Sequence, residues 1–232
     1  MSEQLSTNTE TKFTTSNGHE ILNPVEKLTS EKLQADLSGE FGLDGADPSE
    51  RVEQLKDKSL HDVAELLDYI NRTVQGSEDS LVNNEKAMKI GETSTIKPED
   101  RYDVFEKLMT DIGESSPDIN PARVGDVLAL GVVLLHPFYD GNGRTARVVG
   151  SVFRQDYDTK AYSKDFDVIA EPRDEARKRG GFMVSGYIPQ FPEGFDQADP
   201  TQVGDYLNSL LHEEVPGGYV SCFGQAELYG ND

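Results

Sequence analysis

Apolar residues recur at helical spacing in several segments, and these segments predict the helices of the chain. Ser59 is followed three residues later by Asp62, which has the form of a reciprocal N-terminal cap. An apolar stripe starts directly after Ser59, at Leu60, Val63, Ala64, Leu67, Ile70 and Asn71. Because these positions fall on one face of a helix, we predict an amphipathic helix that begins at Ser59.

Two more amphipathic helices follow from the same spacing. Pro98 suits the first turn of a helix, where a backbone N–H would have no partner in any case. The apolar positions behind it are Tyr102, Phe105, Leu108, Met109 and Ile112. The stretch TQVGDYLNSLLHEE, residues 201–214, predicts a last amphipathic helix.

The most apolar stretch, ARVGDVLALGVVLL, follows Asn120 and Pro121 and ends at Leu135. Asn before Pro is a favourable start for a helix. The apolar residues cover nearly the whole circumference, which is typical of a helix in the middle of a bundle. A further helix is predicted from Asn142 to about Asp156, and its expected buried face consists of Thr145, Val148, Val149, Val152 and Phe153.

The stretch from Gly76 to Thr95 breaks the helical periodicity and carries Asn83 and Asn84 between short apolar pairs. We predict a small β-hairpin there. The predicted fold class is therefore mainly α, a helical bundle with a small β-hairpin.

Composition divides the chain into four parts. Residues 1–20 are rich in Ser, Thr, Asn and Glu, which predicts a disordered tail. Residues 21–58 alternate short helical patterns with a Gly/Asp/Pro break, which indicates a loosely packed helical lead-in. The main domain is expected over residues 59–214, and the Gly-rich residues 215–232 are expected to form a flexible tail.

Charge and composition exclude several classes of protein. The 232 residues include 22 Lys and Arg against 43 Asp and Glu, so the net charge is −21 and phosphates are repelled unless a local basic site captures them. No stretch has the roughly 20 apolar residues that cross a bilayer, and no signal peptide is visible at the N-terminus. A single cysteine, Cys222, excludes an internal disulfide framework. We expect a cytoplasmic protein that binds neither nucleic acid nor membranes, and delivery to another cell as an effector is left open.

The segment HPFYDGNGRTAR, residues 136–147, joins the two central predicted helices and carries the candidate chemistry. Pro137 disfavours helical geometry in the residue before it, so the buried helix should stop at His136 and project a titratable imidazole into the loop. Residues 141–143, Gly-Asn-Gly, bring consecutive N–H groups to a helix N-terminus, where the dipole favours negative charge. The sequence therefore predicts a phosphate cradle next to a base.

Three charged residues complete this candidate site. Arg144 and Arg147 share one face of the next helix, so both can reach the same anion. Asp140 is a natural ligand for a magnesium ion that bridges two phosphates. In an acidic chain, this combination predicts a nucleoside triphosphate as the ligand.

The same segment resembles the signature of the Fic (Fido) family, H-x-F-x-[D/E]-G-N-G-R-x-x-R, at every defining position. A match at eight specified positions within so short a window is specific. Members of this family typically transfer AMP from ATP to a protein hydroxyl. The resemblance implies a Fic-type helical bundle from about Ser59 to about Glu214. It also implies a hairpin flap, for which residues 76–95 are the candidate, that pairs with an extended segment of the target protein.

The resemblance also implies a role for each matching residue. His136 is expected to be the general base that takes the proton from an attacking Ser, Thr or Tyr hydroxyl of the target. Arg144 is expected to be the second catalytic residue, because it stabilises negative charge on the phosphates. Asp140 is expected to bind Mg²⁺, and Phe138 to anchor the loop on the bundle.

The ATP-binding residues that the resemblance implies lie in and after the glycine loop. Gly141, Asn142 and Gly143 are expected to form the anion hole around the α- and β-phosphates. Arg144 is expected to grip the outer phosphates, and Arg147 to lie near the γ-phosphate.

Many family members are inhibited by a glutamate in the pattern [S/T]-x-x-x-E-[G/N]. Six Ser/Thr…Glu pairs with this spacing occur here, and in none is the Glu followed by Gly or Asn. The sequence therefore shows no internal inhibitor. A separate antitoxin-like protein that supplies the glutamate and a different form of regulation are both left open.

The predicted function is a protein adenylyltransferase (AMPylase) that uses ATP and Mg²⁺ and releases pyrophosphate. One alternative keeps the fold and changes the group transferred, to UMP, phosphate or phosphocholine. A second alternative is a non-catalytic nucleotide-binding interaction module. The module would be expected to lack the base or the metal ligand, whereas His136 and Asp140 are both present, so the enzyme is favoured.

Overall fold

The computed structural model describes residues 13–14, 20–21, 30–45, 47–75, 77–90, 93–153 and 193–212. Seven helices lie in this part of the chain, and their bounds are α1 (Ser30–Gly39), α2 (Pro48–Lys56), α3 (Leu60–Gln75), α4 (Pro98–Gly113), α5 (Pro121–Leu135), α6 (Asn142–Val152) and α7 (Pro200–His212). The four short strands are β1 (Phe13–Thr14), β2 (Glu20–Ile21), β3 (Lys89–Ile90) and β4 (Thr93–Ser94). They form two antiparallel pairs, β1 with β2 and β3 with β4. This architecture confirms the predicted mainly α fold class.

Helix α5 is the centre of the bundle. Nearly all of its residues are buried, and it packs against α2, α4, α6 and α7. Helix α3 packs against α6, and α4 packs against α7. Side chains from all seven helices join one hydrophobic core, which holds both ends of the α5–α6 connection in place.

Two predicted helix starts are confirmed by their caps. The Asp62 N–H donates to Ser59 Oγ and the Ser59 N–H donates to Asp62 Oδ2, both over 3.1 Å, so the cap at α3 is reciprocal. The side chain of Asn120 accepts a hydrogen bond from the N–H of Ala122 at the start of α5. These caps satisfy backbone donors that no preceding turn can pair.

The buried face of α4 differs from the predicted stripe. Leu108 and Ile112 are buried as expected, but Arg101 is buried as well, whereas Tyr102 is 61% exposed. Arg101 can lie inside because its guanidinium donates to the backbone oxygens of Asn83 and Lys86. The pattern of apolar residues contains no sign of these tertiary partners.

The part of the predicted lead-in that the structure describes contributes to the core. Leu33 and Leu37 from α1 and Val52 and Leu55 from α2 are buried in the same cluster as α5. Arg51 ties α2 to the end of α6 through the backbone oxygen of Val152. Packing here is tighter than the polar composition of the segment indicates. The predicted domain limits stay a prediction, and the predicted C-terminal tail lies outside the described residues, as do most of residues 1–20.

A hairpin lies within residues 76–95, as predicted, and we call these residues the flap segment. Ile90 pairs with Thr93 and Lys89 with Ser94. Met88 and Thr95 extend the hairpin through a 2.9 Å backbone bond from Thr95 N–H. Asn83 and Asn84 lie outside this strand pairing. Asn83 is instead fully buried at the base of the flap segment.

Among the residues that the structure describes, no helix combines the length and the hydropathy that crossing a bilayer requires.

Candidate active site

A short loop, residues 136–141, connects α5 to α6 and contains the first half of the signature. His136 caps α5 in the left-handed conformation, with φ 49° and ψ 54°, and its N–H donates to Val132 O over 3.1 Å. A left-handed residue is a common way to end a helix, although glycine usually occupies that position. The prediction that α5 stops at His136 is confirmed, and the left-handed turn leads the chain directly into Pro137.

The imidazole of His136 is half-buried and lies close to the last turn of α5. Its Nδ1 is 3.4 Å from Val133 O. Because a carbonyl oxygen can only accept, this contact favours the tautomer with the proton on Nδ1. Nε2 is then the nitrogen with a lone pair, which is the form that a general base needs.

Burial lowers the pKa of His136 below its ordinary value of 6.5. The nearby charge of Arg101 lowers this pKa further, whereas the Val133 contact and Asp140 oppose the shift. A folded-state pKa below the unfolded one means that the unfolded chain binds the proton more readily. The neutral imidazole therefore contributes stability that is present above pH 6.5 and is lost as the pH falls through the folded pKa.

This shift gives a prediction for the free protein. An NMR titration of the His136 ring is expected to give a midpoint below 6.5, because the neutral form is favoured by burial. Replacing Arg101 by Met is expected to move that midpoint upward, since one positive neighbour is removed. A His136 midpoint at or above 6.5 in the unaltered protein would contradict the buried geometry.

The loop after His136 is held by pairing with the base of the flap segment. Asn83 N–H donates to Pro137 O over 2.7 Å, and Tyr139 N–H donates to Leu81 O over 2.8 Å. Val82 and Phe138 form the antiparallel bridge between these two bonds. The Phe138 ring is buried in the core, as predicted for an anchor. Residues 81–83 and the signature loop are therefore joined by backbone hydrogen bonds.

The side chain of Asn142 connects the two ends of the loop by hydrogen bonds. Its side-chain amide donates to Phe138 O over 2.8 Å and accepts from Phe138 N–H over 3.1 Å. The side chain is buried, so its amide fixes the distance between the start of the loop and the start of α6. Because the side chain of Asn142 is already bonded to Phe138, its predicted contact with a phosphate would have to come from its backbone N–H.

Gly141 occupies a position that no other residue fits. Its φ is 80°, and a methyl group there would lie 2.4 Å from Gln75 Nε2 and 2.8 Å from Asn71 Nδ2. The Asn71 amide donates to Asp140 O over 2.9 Å and to Thr145 Oγ1 over 3.0 Å. Asn71 therefore connects the end of the loop to the first turn of α6.

Gly143 is not crowded by other side chains, in contrast to Gly141. It is exposed, and a methyl group there would meet no atom within 4 Å. It lies in the first turn of α6, where backbone N–H groups have no partner within the helix and the helix dipole favours an anion. The open space above Gly143 leaves room for a phosphate to approach the backbone.

Asp140 is half-buried and lies three residues before Gly143. Its Oδ1 accepts a 2.7 Å hydrogen bond from the Gly141 N–H, which orients the carboxylate. Among the described residues, no group of three His, Cys, Asp or Glu side chains gathers into a metal site. One carboxylate next to a phosphate site fits Mg²⁺, because this ion is commonly held by one or two carboxylates together with substrate phosphates.

Arg144 points toward α3. Its exposed fraction is 9%, and its guanidinium donates to Val74 O over 2.7 Å and to Gln75 Oε1. A cation at the C-terminal end of a helix is favourable, so Arg144 ties α6 to the end of α3. To contact an outer phosphate, the side chain would have to leave these oxygens. Its predicted role in binding ATP stays a prediction, as does that of Arg147 one turn further along α6.

Sequence reasoning missed the supporting residues of this site. Asn71 and Gln75 come from α3, and Asn83 and Arg101 hold the flap segment against the loop. Asn71 and Gln75 are polar residues four apart on the buried face of α3, and that departure from an apolar stripe is the signal that points to them.

Comparison with known proteins agrees with this geometry. The family model described as Fic/DOC family matches residues 48–153, a range that starts at α2 and ends just after α6. No curated protein matches the chain. The matched range contains the complete signature loop, both helices that flank it and the flap segment, which confirms the resemblance seen in the sequence. Residues 48–153 of this chain match the Fic/DOC family, and this match supports membership of that family.

Proposed function

We propose that this protein is a protein adenylyltransferase, which transfers AMP from ATP to a Ser, Thr or Tyr hydroxyl of a target protein. The match to the Fic/DOC family supports a Fic-type transferase in general. One observation supports the finer proposal most strongly: a single short loop joins a half-buried imidazole to an open helix N-terminus, with a carboxylate between them.

The proposed reaction uses His136 as the base. Its Nε2 takes the proton from the target hydroxyl while the hydroxyl oxygen forms a bond to the α-phosphorus of ATP. The bond from the α-phosphorus to the bridging oxygen of the β-phosphate breaks, and pyrophosphate leaves with the electron pair. The lowered pKa of His136 keeps the imidazole neutral, and therefore able to accept a proton, at pH values near neutral.

The residues around the loop hold the triphosphate. The N–H groups at the start of α6 would bind the phosphate oxygens, and Gly143 lets them approach closely. Asp140 would hold Mg²⁺, which neutralises charge on the phosphates during transfer. Asn71 and Asn142 keep the loop in shape, so the phosphate site is formed before ATP arrives.

Labelled ATP tests this proposal. The full-length protein is incubated with Mg²⁺, a cell extract as the source of acceptors, and ATP labelled at either the α- or the γ-phosphate. Extract without the added protein gives the background, because its own kinases transfer the γ-phosphate, and AMP transfer predicts protein-bound label above this background from the α position alone. Label above this background from the γ position alone would instead show phosphoryl transfer and overturn the AMP assignment, and labelled UTP in a parallel reaction tests UMP as the transferred group.

The role of Asp140 gives a separate prediction. Replacing Asp140 by Asn keeps an oxygen that accepts from the Gly141 N–H and removes the charge that binds Mg²⁺. We expect the affinity for ATP in the presence of Mg²⁺ to fall about tenfold, toward the value that the unaltered protein shows with EDTA. Isothermal titration with and without Mg²⁺ measures this. An undiminished Mg²⁺ effect in the variant would exclude Asp140 as the ligand.

A further inference from the structure

Arg101 on α4 contacts one short turn at the base of the flap segment. Two nitrogens of its guanidinium donate to the backbone oxygens of Asn83 and Lys86. Within the turn, Asn83 Nδ2 donates to Lys86 O over 2.9 Å, and Asn83 Oδ1 accepts from the N–H groups of Glu85 and Lys86. Residues 83–86, which we call the clamped turn, are therefore closed by the Asn83 side chain from within and by Arg101 from outside.

The contact between Arg101 and the clamped turn is buried. Arg101 is 8% exposed, and Asn83 is fully buried. Burial lowers the pKa of Arg101, whereas the nearby charge of Glu99 opposes this shift. Because buried donors and acceptors are costly when they lose their partners, the guanidinium and the two carbonyls hold each other in place.

A backbone bond links the clamped turn to the signature loop. Asn83 N–H donates to Pro137 O over 2.7 Å. His136 directly precedes Pro137 and caps the end of α5. One residue, Asn83, therefore connects the Arg101 guanidinium to the backbone beside the imidazole of His136.

The phosphate side of the same loop has different supports. Asn71 Nδ2 donates to Asp140 O over 2.9 Å, and the side chain of Asn142 makes two hydrogen bonds with the backbone of Phe138. None of these bonds involves the clamped turn. Loosening of the clamped turn is thus expected to displace the start of the loop at His136 more than the start of α6.

We propose that Arg101 is a positioning residue for the transfer reaction: it fixes the clamped turn and, through Asn83 and Pro137, holds the imidazole of His136 in place for proton transfer. This inference rests on the proposed function. A displacement of about 1 Å can cost about 10²-fold in rate, so a residue that does not touch the substrates can have a large effect on the transfer step.

Arg101→Met removes the donors and keeps the apolar stem of the side chain. Transfer from α-labelled ATP is measured at about pH 8, well above the ordinary His pKa of 6.5, so that a change in the pKa of His136 has no influence on the result. We expect the rate of transfer to fall at least about tenfold, while the affinity for ATP with Mg²⁺, measured by isothermal titration, stays close to normal. Lys107→Met removes an exposed cation from the same helix and is expected to leave both quantities unchanged.

A conservative replacement separates positioning from a general loss of packing. Arg101→Lys keeps the charge and one donor group but loses the planar fork, so its transfer rate is expected to lie between those of Arg101→Met and the unaltered protein. A normal transfer rate in Arg101→Met, or an equal loss of transfer and of ATP affinity, would overturn the positioning role.

Hydrogen exchange followed by NMR tests the chain of contacts without ATP or an acceptor. The Asn83 N–H is expected to exchange at least about tenfold faster in Arg101→Met than in the unaltered protein and in Lys107→Met. Circular dichroism checks that each variant is folded, and if Arg101→Met is not, Arg101→Lys decides: normal exchange at Asn83 together with normal transfer in that variant refutes the inference. Absence of transfer in the unaltered protein refutes the proposed function, whereas normal Asn83 exchange in a folded Arg101→Met refutes this inference alone.

Discussion

Replacing His136 by alanine is expected to lower the rate of AMP transfer by about 10²–10⁴ while ATP binding stays close to normal. The reason is that the imidazole takes the proton from the attacking hydroxyl but does not belong to the phosphate cradle at the start of α6. Transfer is measured with α-labelled ATP, and binding by titration with the nucleotide in the absence of acceptor.

The backbone at His136 calls for a second variant. Histidine occurs in the left-handed conformation more often than alanine does, so His136→Ala adds backbone strain, and its loss of activity has a structural as well as a chemical explanation. Asparagine tolerates this conformation and cannot act as a base. His136→Asn is therefore expected to fold like the unaltered protein and to be as inactive as His136→Ala. Normal transfer by His136→Asn would remove His136 from the mechanism.

The second large effect concerns stability. Gly141→Ala is expected to lower the free energy of unfolding by about 3 kcal/mol, because it combines a left-handed φ of 80° with a clash against Gln75 and Asn71. Neither amide can move aside cheaply, since Gln75 accepts from Arg144 and Asn71 donates to Asp140 and Thr145. Chemical denaturation followed by circular dichroism measures the change.

Gly143→Ala is the matched control for this substitution. A methyl group there meets no atom within 4 Å, and alanine is favoured over glycine in a helix, so stability should stay the same or rise by up to about 1 kcal/mol. The same methyl group occupies the space where a phosphate approaches the backbone, so ATP binding should weaken. Equal destabilisation by both substitutions would contradict the described loop, and unchanged ATP binding in Gly143→Ala would contradict the proposed phosphate site.

The local features of this fold could be predicted from the sequence because they depend on neighbouring residues. The cap at Ser59 and the start of α5 at Asn120 follow from side chains that bond within three residues. The end of α5 at His136 follows from Pro137. The signature loop is held by hydrogen bonds between Phe138 and Asn142, which are only four residues apart. Its place between two helices could therefore be predicted from the local sequence as well.

The tertiary partners of the loop could not be predicted in the same way. Asn71 and Arg144 bond across about 70 residues of sequence, to Thr145 and Val74 respectively, and no periodic pattern records such pairs. Arg101 took a buried position on α4 because carbonyls of the flap segment satisfy it, which shifted the buried face away from Tyr102. Where a polar side chain finds its partner in another element, the apolar stripe alone predicts the wrong face.

In the proposed reaction, one loop brings the α-phosphate of ATP within reach of His136. A crystal structure of the protein with Mg²⁺ and a non-transferable ATP analogue tests this most directly. We expect phosphate oxygens on the N–H groups at the start of α6 above Gly143, Mg²⁺ on Asp140, and the α-phosphorus facing the imidazole of His136. An analogue whose phosphates bind away from α6, or whose α-phosphorus faces away from His136, would contradict the proposed function.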